Sequence, residues 1–252
     1  MLSSILLLIL PLCYAEYAVD LSQLGSTSAF SCLRGGGYST VFIRGYQPAG
    51  TGSADPNAVS NINLAASVGL GLEVYMTPQP YSTKTGLQQV DETINNLING
   101  GITVRSLWLQ VTSPANWPQN PTSNVAFITS ALQRMRVRGI TPGIYTSSYD
   151  WQQITNAANN IGNDVMLWYW NVYGQGPNGE STPNFSDFRP FGNWNSAAVK
   201  QFGQNESICG FTANRDVYGS TANSKFPNRP SGEIMPAKPT KGEKIVVGSI
   251  GL

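Results

Sequence analysis

The amino-acid sequence predicts an α/β fold, a single irregular (β/α) barrel of the TIM type followed by a flexible C-terminal tail. Three observations point that way. Short apolar runs with strand character alternate with stretches of helical spacing along most of the chain, the pattern of a parallel sheet with crossover helices. The 252 residues match the length at which such units close into one barrel. In the last third the helix-like stretches give out, so the barrel is expected to be irregular.

Residues 17–21 (Tyr-Ala-Val-Asp-Leu) read as a short first strand with Asp20 near its C-terminal end. Residues 41–46 form a second, bounded by Gly35-Gly36-Gly37 and Gly50. Asp55-Pro56 then opens a helix, with Asp as N-cap and Pro at the first helical position; Val59, Ile62 and Ala66 lie on its buried face and Gly69 closes it. Residues 72–77 are a third strand, stopped by Pro78 and Pro80. Leu87, Val90, Ile94, Leu97 and Ile98 sit at helical spacing before Gly100-Gly101. A strand over 104–111, a helix over 124–137, a strand at 143–145, a helix over 148–158 and an apolar strand over 165–170 follow. A long loop rich in Gly, Pro, Asn and Ser spans 174–194, and residues 198–202 and 216–218 give the last strands. From about Gly219 onward periodicity is lost, and 219–252 reads as the flexible tail; the apolar triplet Ile245-Val246-Val247 leaves open a packed extension instead.

Composition narrows the function. Charged residues make up 12% of the chain and the net charge is +1, so there is no electrostatic case for nucleic acid or an anionic membrane. Histidine is absent, which excludes a Ser-His-Asp triad and any His-ligated metal. Gly35-Gly36-Gly37 lacks the spacing of a phosphate loop. No cofactor or metal is therefore expected, and carboxylate chemistry or binding without chemistry remains.

Residues 1–15 read as a signal peptide, with a continuous apolar run from Ile5 to Leu10 and small residues at Cys13 and Ala15; a buried first strand is the alternative. The mature barrel would then cover 16–218 and be secreted. Cys32 and Cys209 remain after cleavage and are expected to pair in an oxidising compartment, stapling the first and last elements, unless they are two free thiols. Asn184-Phe185-Ser186 and Asn205-Glu206-Ser207 are glycosylation sequons consistent with that route.

Six tryptophans and eleven tyrosines in so uncharged a chain suit stacking on sugar rings, although most such rings serve as core. Trp108, Trp168, Trp170 and Tyr75 lie on strands near the catalytic end of a barrel and are the candidates. The strand ending Ser106-Leu107-Trp108-Leu109-Gln110-Val111-Thr112 presents Trp108, Gln110 and Thr112 on one face. Glu73 falls early on its strand, at the opposite end, and Asp150 falls in a turn opening a helix, where N-capping is its ordinary role.

Several segments, taken in order, resemble the nematode lysozyme-like proteins of glycoside hydrolase family 25. They are Tyr17-Ala18-Val19-Asp20-Leu21-Ser22, Leu107 to Thr112, Gly143-Ile144-Tyr145-Thr146-Ser147, Asp150-Trp151-Gln152-Gln153-Ile154, Leu167-Trp168-Tyr169, Lys200-Gln201-Phe202 and Cys209-Gly210. The resemblance implies a modified barrel that cleaves the sugar backbone of bacterial peptidoglycan, and a role in innate defence. It also implies acidic residues at four positions. Asp20 keeps the first. Gln110 stands where the family has Asp, Thr112 where it has the general-acid Glu, and Asn214 where the last strand has an acid, with Asp216 two residues on as the candidate to substitute.

Glycosidic cleavage normally needs a proton donor and a second carboxylate. Neither an amide nor an aliphatic hydroxyl can serve as that acid near neutral pH. The expected function is thus a monomeric, secreted binder of bacterial cell-wall glycan with hydrolysis lost or weak. The alternatives are an active muramidase with rearranged carboxylates, or a non-catalytic signalling or structural protein.

Overall fold

The computed structural model describes residues 15–219 and 244–250. In chain order the elements are β1 (Glu16–Leu21), α1 (Thr27–Gly35), β2 (Tyr38–Gln47), β3 (Ser53–Ala54), α2 (Ala58–Ser67), β4 (Gly71–Met76), α3 (Gly86–Asn99), β5 (Ile102–Val104) and β6 (Ser106–Gln110). There follow α4 (Pro121–Val137), β7 (Thr141–Thr146), α5 (Ser148–Thr155), β8 (Met166–Trp170), β9 (Val199–Ile208), β10 (Phe211–Tyr218) and β11 (Ile245–Val247).

Eight strands close into a barrel in the order β1-β2-β4-β6-β7-β8-β9-β10 and back to β1. Neighbours from β1 through β9 run parallel, whereas β10 is antiparallel to both β9 and β1. The β9–β10 hairpin replaces a βα unit, which is why the sequence loses helical spacing there. Strand alternation sorts the side chains. Val19, Val41, Ile43, Val74, Leu107, Leu109, Ile144 and Leu167 point outward and pack against the helices, while Ala18, Phe42, Trp108, Trp168 and Val199 fill the lumen.

The lumen is aromatic where such barrels usually carry branched aliphatics. Trp168 stacks on Tyr145 at 4.1 Å between centroids and meets Trp108 edge-on at 6.0 Å. Room for the Trp108 indole comes from Gly143 on the neighbouring strand: a Cβ there would sit 2.3 Å from the ring.

Cys32 of α1 and Cys209 of the β9–β10 turn form a disulfide with Cα atoms 5.7 Å apart across 177 residues of sequence. It ties the helix after β1 to the hairpin that pairs with β1, and so closes the seam. A loop this long corresponds to about 4–5 kcal/mol on the chain-entropy model.

Several expectations need correcting. Helix α1 was not foreseen; Ser26 caps it, its side chain accepting from the Ala29 amide. Asp55 does not cap α2, which starts at Ala58 behind Asn57. Its carboxylate instead accepts from the Asn57 amide and from Arg44 Nε. The strand expected over 104–111 is two: β6 in the barrel wall, and β5, which pairs outside it in parallel with β11. The tail expected from 219 falls largely outside the described residues, as does the leader up to residue 14. Its described part, 244–250, is packed: Val247 is buried and Ile250 nearly so.

Candidate functional site

The C-terminal ends of the parallel strands form the mouth of the barrel, where inward-facing residues one pleat above the aromatic layer converge. From β1 comes Asp20, only 4% exposed; its Oδ2 accepts from Gln201 Nε2 at 2.7 Å and its Oδ1 from Asn214 Nδ2 at 2.9 Å. One pleat deeper, Asp216 is fully buried and its Oδ1 accepts from the Trp168 indole at 2.9 Å. Asp216 Oδ2 receives no hydrogen bond. Burial chiefly, opposed by the two amide donors, lifts Asp20 to about 6. Burial and then the Asp20 charge lift Asp216 far above the carboxylate range. Both carboxyls are thus held toward their neutral forms, the deeper Asp216 more strongly than Asp20.

On the opposite wall the groups are neutral. Thr77 Oγ1 donates to Gln110 Oε1 at 2.6 Å, and Gln110 Nε2 donates to Thr112 Oγ1 at 2.9 Å. Gln110 and Thr112 are both half-buried. Tyr145 from β7 donates its hydroxyl to Gln201 Oε1 at 2.9 Å. The cation at the mouth, Arg44, is neutralised by Asp55 at 2.7 Å. Asp150, in the first turn of α5, is buried and accepts from the Trp170 indole at 2.8 Å; burial raises its carboxyl. Among the described residues no three acidic, His or Cys side chains cluster as a metal site would require. The mouth thus offers amides and hydroxyls to a ligand, and holds its carboxyls back at 4% exposure or less.

A family model described as lysozyme-like protein 1 matches residues 12–202. The chain belongs to the lysozyme-like protein family. Lysozyme-like protein 7 of Caenorhabditis elegans is 54% identical over 202 residues, which is 80% of this chain and 71% of that protein. The Dictyostelium discoideum protein named probable GH family 25 lysozyme 2 is 31% identical over 193 residues, 76% of this chain and 85% of that one. The family 25 lysozyme of Aspergillus fumigatus superposes with a TM-score of 0.64 at 17% identity, covering 83% of this chain and 96% of that chain. A bacterial lysozyme from Streptomyces coelicolor gives 0.65 at 19%, over 83% and 94%. These two structures share the fold.

Within this lysozyme-like barrel the residues singled out from sequence divide into three groups. Asp20, Gln110, Thr112, Asn214 and Asp216 do converge on the mouth and the lumen beneath it. Trp108, Trp168 and Tyr75 do not act as open platforms: both indoles are fully buried and Tyr75 is 6% exposed. Trp108 even points away, its indole donating to Glu73 Oε2 at 2.9 Å at the far end of the barrel. The physical reason is lumen size, since a closed eight-stranded barrel is filled by its own side chains. Trp170 alone of the four is partly exposed at the rim.

Asp150 also departs from expectation. Ser147 caps α5, its Oγ accepting from the Asp150 amide at 3.1 Å, and the Asp150 carboxylate is left free to hold Trp170. Thr77, Gln201, Tyr145 and Arg44 were missed. Their signal was strand parity: Thr77 shares a face with Glu73 and Tyr75, and Arg44 with Phe42. Asn184 and Asn205 are exposed, as a glycan acceptor must be.

Proposed function

We propose that this protein is a secreted defence protein that binds bacterial peptidoglycan-type glycans at the barrel mouth, with glycosidic hydrolysis lost or weak. The supporting observation is the hydrogen-bonded chain Thr77–Gln110–Thr112. It puts an amide and a hydroxyl at the strand end where the resemblance to family 25 implies carboxylates, and neither can pass a proton to a leaving sugar oxygen. The same groups are well suited to hydroxyl and acetamido groups of a glycan. Secretion is supported by the apolar leader and by the disulfide, which belongs to oxidising compartments. Sedimentation with insoluble peptidoglycan, run beside a reducing-sugar assay on the same material, is the test. Co-sedimentation without release of sugar is the expected result; rapid release by the purified wild type overturns it.

A second reading, hydrolysis by rearranged carboxylates, is favoured by one observation: two carboxyls, Asp20 and Asp216, lie one pleat apart beneath the mouth, both raised chiefly by burial. Under that reading Asp20→Asn abolishes sugar release; under the first it leaves a negligible rate unchanged.

A further inference from the structure

We infer that Tyr149, Trp170 and Tyr173 form an aromatic platform on the rim of the barrel that holds the apolar face of a pyranose ring outside the lumen. This rests on the glycan-binding reading and states where the sugar is gripped. Only four aromatic side chains are exposed among the described residues: Tyr17, Tyr81, Tyr149 and Tyr173. Three of them, Tyr81, Tyr149 and Tyr173, follow the C-terminal ends of β4, β7 and β8, on the side of the mouth that carries Gln110, the last residue of the intervening β6, and Thr112 just beyond it.

Tyr149 and Tyr173 are 66% and 77% exposed, so neither is packed for stability. They belong to adjacent strand ends, because β7 and β8 pair up to Thr146 opposite Tyr169. Tyr149 lies in the first turn of α5, Trp170 ends β8, and Tyr173 follows three residues later.

Two of its supports are anchored. The Trp170 indole is fixed by Asp150, the residue next to Tyr149, which ties the two rim segments together. Tyr173 is fixed through its backbone: its amide and that of Gly174 both donate to the Gly179 carbonyl, at 2.8 and 3.2 Å. That turn is so tight that a Cβ on Gly179 would lie 2.2 Å from the Gly174 backbone. Flat rings with only two side-chain torsions lose little entropy on binding. A ring face with a polar hydroxyl at its edge matches a pyranose, apolar on its faces and hydroxylated round its rim. With the lumen indoles buried, these rings and Tyr81 are the aromatic faces left open on that side of the mouth.

Titration of wild type and of the variants Tyr149→Ala, Tyr173→Ala and their double with a tetrasaccharide of alternating N-acetylglucosamine and N-acetylmuramic acid tests this, read by Trp fluorescence and by calorimetry. Each single variant is expected to raise Kd about five- to tenfold and the double variant more. Tyr149→Phe and Tyr173→Phe, which keep the ring face, should stay within about twofold of wild type. An unchanged Kd in the double Ala variant, or Phe variants as weak as Ala ones, overturns the platform while leaving glycan binding intact. A wild type that binds no saccharide overturns the glycan reading itself, and the platform with it.

Discussion

At the scale of single residues, Gln110 and Thr112 decide the chemistry. Gln110 ends β6 and Thr112 lies two positions on, just beyond it, and their side chains meet at 2.9 Å on the mouth-facing side. Thr77, which already donates to Gln110, would equally donate to a carboxylate. The double substitution Gln110→Asp with Thr112→Glu is therefore expected to raise reducing-sugar release from peptidoglycan by at least about 100-fold over wild type, the lower range of general acid catalysis. Equal rates in the two proteins would mean that the missing carboxylates are not what limits the reaction. Gly143 is decisive in another way. A methyl at this position meets the Trp108 ring at 2.3 Å, and the ring, wedged between Phe42 and Trp168 with its nitrogen tied to Glu73, has nowhere to move. Gly143→Ala should lower stability by about 1–3 kcal/mol in urea unfolding, the usual range for overpacking.

At the scale of elements, the short strand β11 closes the bottom of the barrel. It pairs in register with β5, Ile245 opposite Ile102. Beyond it, the amides of Ser249 and Ile250 donate to Glu73 Oε1 at 2.6 and 2.8 Å, while Ser106 and Trp108 serve Oε2. Glu73 is a fully buried carboxyl whose ordinary range is raised by burial, and those four donors are what make its presence there tolerable. A chain ending at residue 243 would strip two donors from it, remove the buried Val247 and Ile250, and uncover Ile102 on β5. The loss is expected to be about 3–5 kcal/mol, combining hydrogen bonds to a charged group with apolar burial, and urea midpoints measure it.

The sequence reveals such features unevenly. The parallel strands were legible because their alternation is local: Trp108 and Gln110 could be put on one face by parity alone, and the resemblance then placed Asp20 and Asp216 at the same end. The packing of 245–247 was not, since three apolar residues look alike in a free tail and in a strand, and only Ile102 and Glu73, far away in sequence, decide between them. The aromatic platform was hidden for a similar reason. Parity says that Trp108 and Trp170 both face inward, but whether an inward ring is sealed or open depends on its depth along the barrel.

At the scale of the whole molecule, burying acids inside a barrel couples stability to pH. Asp20 is raised from 3.8 to about 6 and Glu206 from 4.5 to about 7, in both cases mainly by burial, with Glu180 adding to the second; Asp216 and Glu73 are raised as well. A carboxyl whose folded pKa lies above its unfolded value binds protons more tightly in the native state. Its favourable contribution is complete below the unfolded value, near pH 4, and is lost as pH rises through the folded value. All four groups act in that direction, and for the two with stated values the window runs from about pH 4 to just above pH 7. Asp187 and Asp164 oppose them, held low by Lys200 and Arg136 respectively, but their contribution is lost only as pH falls below the ordinary carboxylate range. Between pH 5 and 8 the slope is therefore negative. The melting temperature should be higher at pH 5 than at pH 8, by about 2–4 °C for each kcal/mol released in a domain of this size. Asp216→Asn, which keeps an acceptor for Trp168 and removes the titration, should flatten part of that slope. A melting temperature that rises from pH 5 to pH 8 would show that the lumen acids are solvated and charged in the native state, and would place an ionised carboxylate pair, free to act on a substrate, at the mouth of the barrel.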